Sequence, residues 1–551
     1  MSATGIGVVR TTHGSVRGIE QRDRYAGITV FNGIPYAAPP IGPRRWAPPA
    51  EAEPWDGVRP ATSFPPAAVQ QFHNDWFAKE GYVPGYYDSV PPMSEDCLYL
   101  NLATGAAGPG EQRPVFVWFH GGGLTNGFAS EAPLDPRPLA RKGLVVVSVA
   151  QRLNIFGYLA LPQLTAEAGR SGNYGVADQL KAIEWIRANV AAFGGDPDNI
   201  TVGGQSGGSQ KAAVLVATPY GRGSVRRVVS QSGLKWKHPF LALADAEEHG
   251  REYLRAVGLS PDLGVEELRA IDVARLNRPV PRIVLPDYMV EDGDLLPYAD
   301  FAEGMDVNAA GVDFLNGTTL GEADLYAPVS SAGGYRLAGE PPAQLDSVAK
   351  LRAHFRAVLG ELYDDDDFDA LVPVDEATAW STGRRLASLG LAGRAGTNVS
   401  RSVMLDRIFG AHMARQHPGS RSYTYLWSHL VPPSPSDYGT PRDPAYALAW
   451  HGSETWYTFG SLGGEVSPGR VWTEADLELA DLLSDYWVNF VSNGDPNGSG
   501  SRGTGLPRWP GSHDEFGFLE LDNRPVATTG CASGLDRLIR AFVLREYRLD
   551  G

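Results

Sequence analysis

The segment Val202-Gly203-Gly204-Gln205-Ser206-Gly207-Gly208 sets a serine in a Gly-x-Ser-x-Gly frame. Asn199 to Gly203 reads as a strand and Ser209 to Val216 as a helix, so the frame falls at a strand-to-helix turn. Such a turn is so tight that side chains at positions 204 and 208 would collide, and the serine between them takes a strained backbone conformation. Ser206 is thereby presented at a helix N-terminus, where the peptide dipole favours developing negative charge. A Gly-Ser turn without chemistry is the bland alternative, and the flanking strand and helix argue against it. A serine hydroxyl is a weak nucleophile at neutral pH. Attack on an acyl carbon therefore needs a base, and the tetrahedral oxyanion needs N–H donors.

Donors of that kind are expected at His120-Gly121-Gly122-Gly123, directly after the apolar run Pro114 to Phe119. Gly122, Gly123 and Gly207 are the expected oxyanion hole, and His120 is expected to pin the loop rather than act as base. A dinucleotide-binding loop is the competing reading, but after Gly121 and Gly123 the required third glycine position is Asn126. The base must come from eleven histidines. Where a serine stands on such a turn, the acid and then the histidine follow it along the chain. Past residue 300 this leaves His354, His412, His417, His429, His451 and His513. His451 lies beside glycine and aromatics in Ala449 to Gly460, as a gorge wall would, but spacing alone does not choose among the six.

The elements that must hold these groups are legible as pattern. Pro114–Phe119, Gly143–Val149 and Asn199–Gly203 are short apolar runs rich in β-branched or aromatic residues, as strands covered on both faces require. Between the last two, Val176, Leu180, Ile183, Ile186 and Val190 recur at helical spacing within Tyr174 to Phe193. Strand, helix and strand in succession imply a large, mostly parallel α/β sheet flanked by helices. The first 60 residues read as a small N-terminal antiparallel sheet. Residues 64–92 read as an aromatic, lid-like surface loop, and 235–440 as helical insertions. Asp364 to Asp367 reads as a solvated turn, Glu474 to Trp487 as an amphipathic helix, and the last 18 or so residues as helix. With no repeat and no low-complexity linker, residues 1–551 are expected to form a single catalytic domain.

Composition narrows the field. The 551 residues are 43% hydrophobic, enough for a large core, and carry a formal charge of -16, which argues against nucleic acid as a partner. Two cysteines, Cys97 and Cys531, permit at most one intramolecular disulfide and no cysteine-rich metal framework. The N-terminus lacks a signal-peptide pattern and no stretch of about 18 apolar residues occurs. A soluble cytoplasmic protein without membrane attachment, monomer or homodimer, is the expectation.

These segments together resemble the type-B carboxylesterase and cholinesterase family of α/β-hydrolases across nearly the whole chain. The matching stretches are Phe31 to Pro40, Ser94 to Asn101, His120 to Gly123, Gly172 to Gly175, Ala192 to Asn199, the serine turn, Gln231 to Gly233, and His451 to Phe459. The resemblance implies an α/β-hydrolase fold, no cofactor and no metal, a small-molecule ester substrate, and hydrolysis through an acyl-enzyme. It selects His451 as base. It also selects Glu322 as the acid, within Gly317 to Asp324, with Asp324 second because the glycines that usually flank the acid differ here.

The departures are specific. The family usually has Glu before the nucleophile, whereas this chain has Gln205, which removes a negative charge and any reason to expect cationic choline-like esters. It usually closes the early aromatic loop with a disulfide from the Cys97 position, but no earlier cysteine exists. Gly207 replaces the usual Ala and keeps the amide donor. Trp76, Phe77, Gln205, Trp236 and Trp450 are candidate pocket residues, joined by Tyr82, Tyr86, Tyr87, Phe240, Trp456 and Tyr457. Each aromatic is more commonly core than pocket, but together they would suit bulky or aromatic esters. An acyltransferase or lactonase using the same triad, and a non-catalytic scaffold of this family, are the alternatives.

Overall fold

The computed structural model describes residues 5–71, 91–279, 286–322, 345–391, 402–435, 437–438, 444, 448–463, 469–498 and 505–549. Its backbone is an eleven-stranded sheet. In chain order the strands are β1 (Ile19–Glu20), β2 (Thr29–Pro35), β3 (Tyr99–Thr104), β4 (Arg113–Phe119), β5 (Val145–Val149) and β6 (Gly195–Gln205). They continue with β7 (Arg227–Gln231), β8 (Asp313–Thr319), β9 (Ser422–Trp427), β10 (Phe518–Leu521) and β11 (Val526–Thr528). Across the sheet they lie in the order β11-β10-β9-β8-β7-β6-β4-β5-β3-β2-β1. From β5 through β10 every neighbouring pair is parallel. The two edges are antiparallel.

The central strands are buried on both faces, which explains why they read as unbroken apolar runs rather than alternations. Alternate residues of β4 divide the core. Val115, Val117 and Phe119 join one cluster with helix α1 (Tyr174–Asn189) and helix α2 (Gly207–Ala217), and α2 is buried along its whole length. Phe116 and Trp118 join a second cluster with helix α4 (Glu474–Asn493), in which the Trp118 ring meets Phe459 edge-on at 4.9 Å. The α4 start is a capping box between Thr473 and Asp476, and Gly494, at φ 77°, ends it in the left-handed conformation. A further long helix, α3 (Val403–Gln416), packs beside β8 and β9.

Several expectations need correction. The N-terminal sheet of Val8–Arg10, Ser15–Arg17 and Val58–Pro60 is mixed, because the third strand joins parallel to the second. Residues 29–35 instead pair with β3 at the edge of the large sheet. The stretch 235–440 is not helical throughout, since β8 and β9 cross it as central strands. Both alternate enough polar residues, such as Asn316, Thr318 and Thr424, to hide their strand character. Asp364 is not in a simple solvated turn: it caps a short helix, Asp365–Leu371, by accepting from the Asp366 and Asp367 amides. Within 64–92, Ala67–Ala68 pairs with Met93–Ser94, and residues 72–90, with Trp76, Phe77, Tyr82, Tyr86 and Tyr87, lie outside the described residues. Cys97 and Cys531 are both free thiols. Among the described residues no helix is long and apolar enough to cross a membrane.

Candidate active site

Ser206 stands where β6 passes into α2, at φ 58° and ψ −123°, with its amide donating to Gln231 O at 2.7 Å. This is a conformation that L-residues rarely adopt, and the surrounding glycines allow it. A Cβ at Gly204 would overlap the backbone of Gly208, and one at Gly208 would overlap the carbonyl of Phe119 at the end of β4. Ser209 braces the turn from beneath, its Oγ donating to Gly204 O at 2.7 Å and to Gln231 O at 2.8 Å.

The glycine loop after β4 abuts this turn. A Cβ on Gly207 would strike Gly123, and one on Gly121 would come within 3.8 Å of Ser206 Cβ. Gly122 and Gly123 take positive φ, 81° and 61°. Their N–H groups donate to no described residue. Gly207, as the first residue of α2, has no acceptor within its helix. Among the described residues three amide donors therefore gather at the serine without an acceptor. His120 is buried behind the loop. Its Nδ1 bonds Gly121 O at 3.0 Å, and its Nε2 meets the Gln151 amide at 3.2 Å.

Glu322 and His451 come from loops at the sheet ends, 129 residues apart, yet Glu322 Oε2 lies 2.7 Å from His451 Nδ1. Backbone pairing between the loops sets this up: Gly321 bridges to Trp450 and donates to Ala449 O at 2.6 Å. The other carboxylate oxygen of Glu322 accepts from Thr319 N at 3.1 Å and from Thr319 Oγ1 at 3.2 Å. Asp324, the second candidate for the acid, lies outside the described residues.

The opposite nitrogen of the imidazole, Nε2, is occupied by Gln205, whose Nε2 approaches to 3.1 Å. Among the described residues Ser206 Oγ makes no hydrogen bond to His451. The sequence placed Gln205 near the site but gave it no such contact. The remaining pocket candidates divide. Trp450 is nearly buried and meets Trp456 edge-on at 5.5 Å, in the loop that carries His451. Trp236 is a core residue, packed on Phe409 at 5.5 Å and His412 at 4.9 Å.

Three buried ionisable groups near the site had no role in the sequence reading. Glu454 accepts from Gln231 Nε2 and Tyr425 OH, each at 3.2 Å, and burial together with the charge of Glu322 pushes it up to about 7. Asp406, on α3, is driven well above the usual carboxylate range by burial and by Glu322. Lys211, on α2, is wholly buried behind the glycine loop. The signal for Lys211 was present as the one charge in the stretch Gly207 to Ala217, whereas the environments of Asp406 and Glu454 depend on segments distant along the chain meeting Glu322. Among the described residues no group of three or more His, Cys, Asp or Glu side chains could hold a metal ion.

The parallel sheet with a strained serine at its strand-to-helix turn defines an α/β-hydrolase. The profile of the carboxylesterase family matches residues 6–330 and 400–533. The chain belongs to the carboxylesterase family, whose members are carboxylic-ester hydrolases. It is 30% identical to carboxylesterase 1E of Mus musculus, over 94% of this chain and 89% of that protein. It is 29% identical to acylcarnitine hydrolase of Mus musculus, over 96% and 89%. The medium-chain fatty acyl-CoA hydrolase precursor of Anas platyrhynchos is also 29% identical, over 93% and 88%.

Proposed function

We propose that the protein hydrolyses carboxylic esters through a serine acyl-enzyme, with Ser206 as nucleophile, His451 as general base and Glu322 as the acid that orients it. The observation that carries this reading is the 2.7 Å contact of Glu322 with His451 Nδ1, beside a strained serine and three glycine amides that have no acceptor among the described residues. Glu322 fixes the imidazole with its proton on Nδ1, so Nε2 offers its lone pair. In the resting site the Gln205 amide takes that lone pair. Substrate binding must release it for Ser206 Oγ–H.

Attack of Oγ on the ester carbonyl passes the serine proton to His451, and the amides of Gly122, Gly123 and Gly207 receive the oxyanion. The imidazolium then protonates the leaving alcohol. Water, activated by the same histidine, releases the acid and restores Ser206. The uncharged Gln205 beside the base, with Trp450 on the loop of His451, supports neutral esters with bulky or aromatic apolar groups as substrates. Relatives named for acylcarnitine and medium-chain acyl-CoA hydrolysis support an acyl pocket of more than acetyl size.

The test is hydrolysis of nitrophenyl esters from acetyl to long-chain and aromatic acyl groups by the intact protein and its Ser206→Ala variant. Turnover that rises with acyl size and vanishes in the variant is the expected result. Equal turnover by both proteins would refute the mechanism, and a preference for acetyl would refute the pocket.

A further inference from the structure

Lys211 is an ammonium-bearing side chain sealed inside the protein, on a helix that is buried along its whole length and whose other residues are all uncharged. It lies four residues beyond Gly207, one turn along the same face of α2. Its Nζ donates to His120 O at 3.0 Å and approaches Gly121 O and His120 Nδ1, each at 3.5 Å. Gly121 O belongs to the peptide group whose N–H is that of Gly122. That carbonyl also takes a hydrogen bond from the His120 ring at 3.0 Å, so two donors converge on one peptide group from behind.

We propose that Lys211 is a positioning residue that acts through the backbone of the glycine loop, holding the Gly121–Gly122 peptide in place and polarising its N–H toward the oxyanion. The inference rests on the reading of Gly122 as an oxyanion donor. A cation on the carbonyl side of a peptide group draws electron density from the N–H, and hydrogen bonds in such a chain reinforce one another. In a site closed to water the effect is larger than at a surface. A purely structural lysine would also satisfy these carbonyls, but its charge would have no influence on the chemical step.

The charge is poised to change. Burial pulls the Lys211 ammonium down to about 7, against the attraction of Glu131 and Asp287, the charged groups that act on it, with His120 in contact. Those carboxylates also hold the loop, Asp287 accepting from Leu124 N at 2.7 Å and Glu131 from Phe128 N at 3.2 Å. His120 is held well below its usual range by burial and by the Lys211 charge, so it stays neutral. Below pH 7 Lys211 is charged and the donor is strengthened; above it the amine is neutral and the effect fades.

The experiment is the pH dependence of kcat and KM for one nitrophenyl ester, from pH 5.5 to 9.5, with the full-length protein and the variants Lys211→Arg and Lys211→Met. Labelling of Ser206 by a fluorophosphonate is the parallel control. We expect kcat of the parent to fall about tenfold on an alkaline limb near pH 7–8, with KM unchanged. The limb should move beyond pH 9 in Lys211→Arg and be absent in Lys211→Met, with kcat low throughout. A parent profile flat above pH 8, or an alkaline limb unmoved in Lys211→Arg, overturns the proposal even if Lys211→Met does not fold. Failure of the parent to label and to turn over would instead reject the serine mechanism on which the proposal stands.

Discussion

The two halves of the site are built in different ways. The half that carries the proposed nucleophile is local: Gly204, Ser206 and Gly208 lie within five residues, and each glycine is required because a Cβ would enter neighbouring backbone. The half that carries the proposed acid and base is assembled from two loops 129 residues apart, joined by the Gly321–Trp450 bridge and held by side-chain hydrogen bonds. A side chain added at either glycine of the first should therefore cost fold and activity together, because it presses on the backbone of the central sheet and its turn. Damage to the second should cost activity while leaving the fold intact.

The largest expected effect is loss of the proposed nucleophile. Ser206→Ala should lower kcat by roughly five to six orders of magnitude, leaving only what the amide donors and binding supply. Alanine keeps the Cβ, and with it the strained backbone at φ 58°, so thermal unfolding should be nearly unchanged, which calorimetry would reveal. Glu322→Gln should reduce kcat about 10⁴-fold, since an amide can impose the wrong tautomer on His451, with little change in Tm. A large drop in Tm there would erase the contrast between the halves.

Gly208→Ala tests the contrast from the other side. Its methyl group would meet Phe119 O, and a clash with backbone should destabilise the fold by about 3 kcal/mol and reduce turnover in step. Urea unfolding and ester hydrolysis on the same preparation check both. A stable but inactive Gly208→Ala would mean that the turn yields more readily than its packing implies.

Smaller effects sharpen the acid–base half. Gln205→Glu would set a carboxylate 3.1 Å or so from His451 Nε2, where the amide now sits. A carboxylate favours the imidazolium, and the reaction needs the neutral base. The acid limb of kcat/KM should therefore move to higher pH, with roughly a tenfold loss at pH 6. Thr319→Val removes one of the two bonds Thr319 makes to Glu322 and should cost about 1 kcal/mol in kcat/KM, or about fivefold.

The nucleophile turn and the glycine loop were legible in the sequence because steric necessity writes itself as glycine at fixed spacing, next to a strand and a helix with clear periods. The mostly parallel sheet was legible through β4, β5 and the buried Ile200–Val202 part of β6, where burial on both faces favours apolar or β-branched residues. The later strands β8 and β9 were not, because polar residues such as Asn316 and Thr424 are buried within them and break the pattern. Trp236 could not be told from a pocket residue, since an indole reads alike in either place until its neighbours are known.

The sequence by itself determined the kind of turn that carries Ser206, because that depends on residues adjacent along the chain. Only the tertiary structure decided that His451 faces Glu322 on one nitrogen and Gln205 on the other, and that Lys211 lies beneath the glycine loop. Those contacts join segments tens to hundreds of residues apart. No local spacing records them, since the sheet brings the segments together only when its strands have taken their order.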